Sequence, residues 1–462
     1  MQKAITAKTA LNGLRTNSLA ILISATPLVL VYSHYMRGGE TDEPALSLAF
    51  AFVLSLLSLA TIFFSRRDPT TPATLLVAGA SILWLALGLF GNWFRAQTEI
   101  FSLFAAGALF LTGRTAGLKT STLQIVWRTL IWLMAAYCAL ALVAHILNYT
   151  GVTINPGEYE TSRLRASFVS PNTAATLFAM SALLGAGYLL YTINHASPDV
   201  LTRNQLVDFT FRNSSMAMGL LFLASSCLWL TLSRACIATF LVVGVVLFGA
   251  EYRAYRNRSQ SERKERSKGF RALRWGLFGL SVVFAIIVFN SEMLIGRVSE
   301  AATDAQSRFD LFQIYISAWL DKPWFGYGLG SFNRVNDSLM TLDNVAHIHQ
   351  MGAAHNVLIQ WLIQQGLIGT GLMAVLIASI HIPMFRVLLR PTNRSKTFIR
   401  CVICISGLVF LHGMVDYALE IPSIMWSYTF LLGMAHGRAT ALLSTKNAAG
   451  DEILAGNANV TE

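Results

Sequence analysis

Apolar runs long enough to cross a bilayer recur along almost the whole chain, and they leave few architectures open. They fall near residues 18–36, 46–64, 73–90, 99–113, 123–148, 172–191, 216–232, 235–250, 275–290, 356–385, 399–415 and 421–437. Each is close to the ~20 residues that a helix needs to span the hydrocarbon core. Only 13% of the residues are charged and 54% are hydrophobic, whereas a soluble domain carries about a quarter charged residues. The sequence therefore predicts an all-α polytopic membrane protein with about 12 transmembrane helices.

Loop charge supplies the orientation, because Lys and Arg accumulate on the cytoplasmic side. The N-terminal segment (Lys3, Lys8, Arg15) and the loops after spans two, four, eight and ten are basic, the richest being the run from Arg253 to Arg274. The alternate loops are mixed or acidic, with Glu40, Asp42, Glu158 and Glu160 among their charges. Both termini are thus expected in the cytoplasm, and the net charge of +11 needs no nucleic-acid partner. The first run is too long for the apolar region of a signal peptide and is read as an uncleaved span. Residues 1–445 form a single integral membrane domain in this reading, and residues 446–462 a disordered cytoplasmic tail. Cys401 and Cys404 stand two residues apart in an apolar setting and are read as small core residues, not a redox pair.

Two outward segments are long, 149–171 between spans five and six and 291–355 between spans nine and ten. Long loops are often functional. The second contains RFDLFQIYISAWL, an amphipathic stretch suited to the membrane surface.

Spans six, eight and ten run from outside to inside, so their N-termini face outward. Arg163 and Arg165 precede the first of these, with Pro171-Asn172 at its start; Ser233-Arg234 opens the second; His355-Asn356 opens the third. A helix N-terminus offers unpaired N–H groups and the positive end of a dipole. A guanidinium beside it completes an anion site suited to phosphate. Asn172 is a candidate cap for its helix. An imidazole among such positive groups is expected to have a lowered pKa, to stay neutral, and to act as a general base on a hydroxyl. The phosphate at an outer face would belong to a lipid carrier.

Other motifs weigh less. Gly326, Gly328 and Gly330 form a glycine-rich stretch with no preceding strand, and a turn is expected there. His347 and His349 lack a third ligand at recognisable spacing, so no metal is predicted. Asp416 and Glu420, at an outward helix end, either orient a base or face water, and water is the favoured reading.

In order, RLRASFVSPNTAAT, LTLSRACIATF, SRFDLFQIYISAWLDKPWFGYGLGSF, AHNVLIQWLIQQGLIGTGL and DYALEIPSIMWSYTFLLG resemble the O-antigen ligase and polymerase superfamily of bacterial envelope glycosyltransferases. The resemblance covers about residues 160–437. It implies a GT-C-like, metal-independent and cofactor-free transferase of the inner membrane, working at the periplasmic face. Its donor would be a glycan preassembled on undecaprenyl pyrophosphate, and its acceptor lipid A-core in a ligase or a lipid-linked glycan in a polymerase. By the same resemblance, Arg165 and Arg234 hold the pyrophosphate, His355 activates the acceptor, and Arg308 is a loop arginine of the site, with Asn356 and Asn172 in support. Ala166-Ser167 stands where the family usually has a glycine, which leaves open whether Arg163 or Arg165 meets phosphate. A transporter or flippase for lipid-linked glycans is the reading from another class. It predicts charges at mid-membrane, and the sequence offers few buried ones, among them Arg128 and His145 in span five and His412 in span eleven.

Overall fold

A computed structural model describes residues 25–34, 49, 52–54, 56, 97–147, 163–195, 203–256, 301–349, 351–390 and 396–458. All regular structure among them is helical. The expected spans at 73–90 and 275–290, the basic run beyond Arg256, the acidic loop residues Glu158 and Glu160, and the side chain of His347 lie outside the described residues.

In chain order the helices are α1 (Gln97–Leu118), α2 (Thr120–Ile146), α3 (Pro171–His195), α4 (Arg203–Leu230), α5 (Arg234–Arg256), α6 (Ala301–Asp321), α7 (Phe332–Ser338), α8 (Val345–Ile348), α9 (Val357–Leu389), α10 (Thr397–Gly413) and α11 (Pro422–Ala458), with a 3-10 turn over Ala418–Glu420. Six of them, α1 to α5 and α9, contain segments long and apolar enough to cross a membrane, and α10 is a shorter apolar helix. They coincide with spans four to eight, ten and eleven of the sequence reading. α11 contains the twelfth and runs on past Lys446.

The bundle is inverted relative to a soluble protein. Ile125, Trp132, Leu140 and Val143 on α2, and Leu241, Val242, Val245 and Val246 on α5, face outward, as lipid-facing residues should. α3 lies at the centre: 94% of its apolar window is buried, against 28% for α5. Its neighbours are α2, α4, α5 and α10.

The closest approach joins α1 and α11. Gly113 and Gly117 on one helix face Gly433 and Gly437 on the other. A Cβ on Gly117 would fall 2.0 Å from the Met434 carbonyl oxygen, and one on Gly437 2.0 Å from that of Arg114. Small residues four apart let two membrane helices bring backbone against backbone, and this seam does so from both sides.

Helix α9 is not one continuous span. Gly366 adopts φ 61 and ψ −167 inside it, a backbone region open to glycine alone. The groups released by the break are taken up by the segment after α6: Leu367 N–H donates to the Pro323 carbonyl (2.8 Å), Ile368 N–H to Trp324 (3.1 Å), Tyr327 N–H to Ile363 (2.8 Å) and Gly328 N–H to Gln364 (2.8 Å). The expected turn at the glycine-rich stretch is thus a clamp on α9. A Cβ on Gly366 would sit 2.4 Å from the Trp324 carbonyl oxygen, so no larger residue fits. His355-Asn356 still heads an apolar helix, Val357–Leu389, long enough to cross a membrane, but the break divides that helix into two pieces. The piece before the break, 357–365, belongs to a second, smaller subdomain in which Ile359 and Ile363 share a core with Leu311, Tyr315, Phe332, Val335 and Ile348. The piece after it, 367–389, is still long enough to cross.

Candidate active site

Three chain junctions meet at one end of the bundle, and each carries residues singled out from the sequence. The first is the loop before α3. Leu164 N–H donates to the Leu230 carbonyl at the end of α4 (2.8 Å). Arg163 reinforces this tie, its Nε donating to the Thr231 carbonyl (2.8 Å) and its terminal nitrogen to Asn172 Oδ1 (3.0 Å). Arg165 donates to the Val169 carbonyl within its own loop (3.2 Å). The predicted cap is corrected. Ser170 Oγ accepts the Asn172 N–H (3.2 Å) and caps α3, while Pro171 takes the first helical position, where its missing N–H is not needed. Asn172 instead orients Arg163.

The second junction is Thr231-Leu232-Ser233, which turns α4 into α5. Thr231 Oγ1 accepts the Ser233 N–H (3.3 Å), and half-buried Arg234 is the first residue of α5.

The third is Ala354-His355-Asn356. Asn356 caps α9, its Oδ1 accepting the N–H groups of Leu358 (3.0 Å) and Ile359 (3.1 Å), while its Nδ2 donates to the Met414 carbonyl (2.9 Å). The cap therefore also anchors α9 to the end of α10. Gln360 Oε1 accepts the Ala354 N–H (2.8 Å) and fixes the approach to the helix.

Backbone conformation marks the same three places. Among the described residues, the non-glycine residues with positive φ are Ala166 (52), Leu232 (52) and His355 (53). Left-handed backbone is unfavourable for residues with a Cβ. Such strain persists where surrounding structure over-determines it and is concentrated at functional sites. One strained residue stands in each junction.

The half-buried His355 ring packs edge-on to Tyr417, with centroids 4.8 Å apart. Its pKa is lowered, first by burial; the Asp416 charge opposes this and the Arg308 charge adds to it. The expected direction holds, but desolvation is the main cause and not a helix terminus. Arg308 reaches from α6 to the Val415 carbonyl, which puts the loop arginine at the site. Asp416 corrects the reading of a water-facing carboxylate. It is only 1% exposed, and neither carboxylate oxygen has a hydrogen-bond partner among the described residues. Its charge acts on His355, on His412 and on Cys236 in the first turn of α5. His412 in turn bonds through Nδ1 to Thr176 Oγ1 of α3 (2.9 Å). Glu420, the last residue of the 3-10 turn, keeps an accessible side chain, but desolvation and the nearby Glu99 charge raise its pKa to about 7.

The junctions thus bring His355, Asn356, Arg308 and Asp416 together, with the α5 N-terminus beside them and the arginine loop tied to the end of α4. A base of lowered pKa, a carboxylate able to stabilise it when protonated, and cationic helix starts suit proton removal from a hydroxyl next to an anionic group. Residues 219–374 match the family model described as O-antigen ligase. The chain carries an O-antigen ligase family domain. No curated protein matches it. The matched segment runs from α4 into the second piece of α9 and contains Arg234, Arg308, His355 and Asn356. The apolar helices make this a multi-pass membrane protein, and the matched segment relates it to a family of ligase- and polymerase-type enzymes of the bacterial envelope, which use lipid-linked glycans.

Proposed function

We propose that this O-antigen ligase family protein is an inner-membrane, GT-C-like transferase. It moves a preassembled glycan from undecaprenyl pyrophosphate to an acceptor hydroxyl at the periplasmic face, with lipid A-core as the acceptor. The observation that carries the reading is the meeting of His355 with Arg308 and Asp416 at three strained junctions. His355 takes the proton from the acceptor hydroxyl. The resulting oxygen attacks the anomeric carbon, a new C–O bond forms, and the bond to the pyrophosphate oxygen breaks. Undecaprenyl pyrophosphate leaves with the electron pair, its charge stabilised by Arg165 and Arg234. Arg163, whose bonds run to Thr231 and Asn172, holds the loop that presents Arg165. Asp416 stabilises the imidazolium form of His355.

Buried charges are more numerous than the sequence suggests, but they do not favour transport. Arg114 is buried near the C-terminal end of α1. Glu251 near the end of α5 pairs with Arg400 near the start of α10 (2.7 Å) and accepts from Asn194 near the end of α3 (2.9 Å). All lie near helix ends, whereas a transport pathway calls for charges at mid-membrane.

The test is His355→Ala in cells lacking the native gene. Transfer is expected to fall by roughly 10²–10⁴-fold, the usual contribution of a positioned base, with membrane insertion unchanged; full activity would refute the assignment. Arg234→Lys is expected to lose activity too, since a point charge does not reproduce the bidentate fork on phosphate. The null strain sorts the acceptors. Core without long chains means a lost ligase, single-repeat caps a lost polymerase, and carrier lipid accumulating on the inner leaflet a lost flippase.

A further inference from the structure

The surface of α6 divides three ways. Leu311, Tyr315 and Ala318 are buried in the smaller subdomain. Gln306, Asp310, Gln313 and Ser317 form an exposed polar strip. Phe309 (56% exposed), Ile316 (39%) and Leu320 (60%) form a third strip, apolar and uncovered. At 3.6 residues per turn these three side chains fall within about 40° of one another. Trp324 (60%) and Phe325 (58%), in the turn after the helix, are equally open.

What covers this strip follows from its continuation. The Pro323 and Trp324 carbonyls accept the N–H groups of Leu367 and Ile368 (2.8 and 3.1 Å), so Trp324 and Phe325 abut the first turn of the membrane-crossing part of α9. That part presents its own exposed Leu367, Ile368, Val375 and Ile382. The apolar strip of α6 and the lipid-facing surface of α9 therefore meet at this turn. Lys322 stands at the join, its Nζ 4.6 Å from the Tyr327 ring centroid. Trp and Lys are residues of the membrane–water interface.

We infer that α6 and the turn after it lie on the bilayer, with Phe309, Ile316, Leu320, Trp324 and Phe325 in the boundary between headgroups and acyl chains. The exposed strip beside them carries Asp310, so attachment rests on apolar burial and not on anionic lipid. The inference stands apart from the proposed transfer reaction, but it bears on the site. Arg308, next to Phe309, reaches the Val415 carbonyl, so the membrane surface helps to set where that guanidinium sits.

Spin labelling of the full chain in phosphatidylcholine nanodiscs tests this. The native cysteines are all buried, which leaves Phe309→Cys, Ile316→Cys and Leu320→Cys as the reporters, with Gln306→Cys, Gln313→Cys and Ser317→Cys on the polar strip for comparison. The ratio of oxygen to nickel-chelate accessibility is expected to be severalfold higher on the apolar strip. If the label at Phe309 displaces Arg308, Ile316 and Leu320, two and three turns away, read the same surface. Equal nickel accessibility on both strips would overturn the inference by placing α6 in water. Shielding of the apolar strip from both reagents would overturn it by showing that protein covers the helix.

Discussion

The seam between α1 and α11 and the three-junction site differ in how they treat the backbone. At the seam, close approach is achieved by removing side chains. Four glycines let two helices touch through their carbonyls without leaving helical geometry. At the site, Ala166, Leu232 and His355 keep their side chains and take left-handed conformations instead. The seam needs nothing from these positions except absence of volume. The site needs particular side chains at particular turns, and the neighbouring bonds hold them there: Leu164 to Leu230, Thr231 to Ser233, and Asn356 to Met414.

The contrast is sharpest under substitution. Gly117→Leu or Gly437→Leu places a side chain where a Cβ alone already overlaps a carbonyl oxygen at 2.0 Å. Backbone cannot give way as a flexible side chain does, so these variants are expected to exceed the ~1–3 kcal/mol usual for overpacking. Folded protein in the membrane, followed by detergent size-exclusion profile, should largely disappear. A normal profile for Gly437→Leu would mean that the seam is not the tight contact described here. Asp416→Asn, by contrast, is expected to leave that profile unchanged and to act only on turnover.

How far these two regions were legible beforehand differs for physical reasons. Helices and their order follow from apolar length, which survives almost any packing. The junctions follow from charge, because Arg and His at outward helix starts are conspicuous against apolar runs. The break at Gly366 does not show, since Gln365-Gly366-Leu367 interrupts no hydropathy signal and the compensating bonds come from residues some forty positions earlier. The burial of Asp416 does not show either, because a lone Asp at a helix end ordinarily meets water, whereas here the fold brings His355, His412 and Cys236 close to it. The glycine spacing of the seam, GRTAG and GMAHG, is a signal present in the sequence though inconspicuous beside the charged motifs.

The titration of His355 probes the site side of the comparison more finely. In the proposed reaction the neutral imidazole is the active form, so activity is expected to fall as pH drops through its pKa. Asp416 raises that pKa and Arg308 lowers it. Removing the carboxylate in Asp416→Asn should therefore shift the acid limb of the kcat/KM profile to lower pH, and Arg308→Gln should shift it to higher pH. Opposite displacements in the two variants identify electrostatic control of one base. Equal displacement, or a drop in rate with the limb unmoved, would mean that both residues act through structure alone.

The smallest expected effect separates strain from chemistry. Ala166 has φ 52, and left-handed backbone is disfavoured by roughly 1–2 kcal/mol for a residue with a Cβ. Its side chain is a methyl group, buried at 3% exposure, and offers nothing that a glycosyl transfer requires. Ala166→Gly removes the steric penalty but frees the unfolded chain, which offsets part of the gain. The variant is expected to be neutral or slightly more stable in thermal unfolding and to retain full transfer activity. The same change at the third junction, His355→Gly, relieves the same conformation and removes the base. If Ala166→Gly unfolds the protein, the methyl group is a packing element and the likeness among the three junctions fails at the first of them. If it is tolerated while His355→Gly is inactive yet folded, strain is the common geometry of the junctions and the side chain alone decides which one does the chemistry.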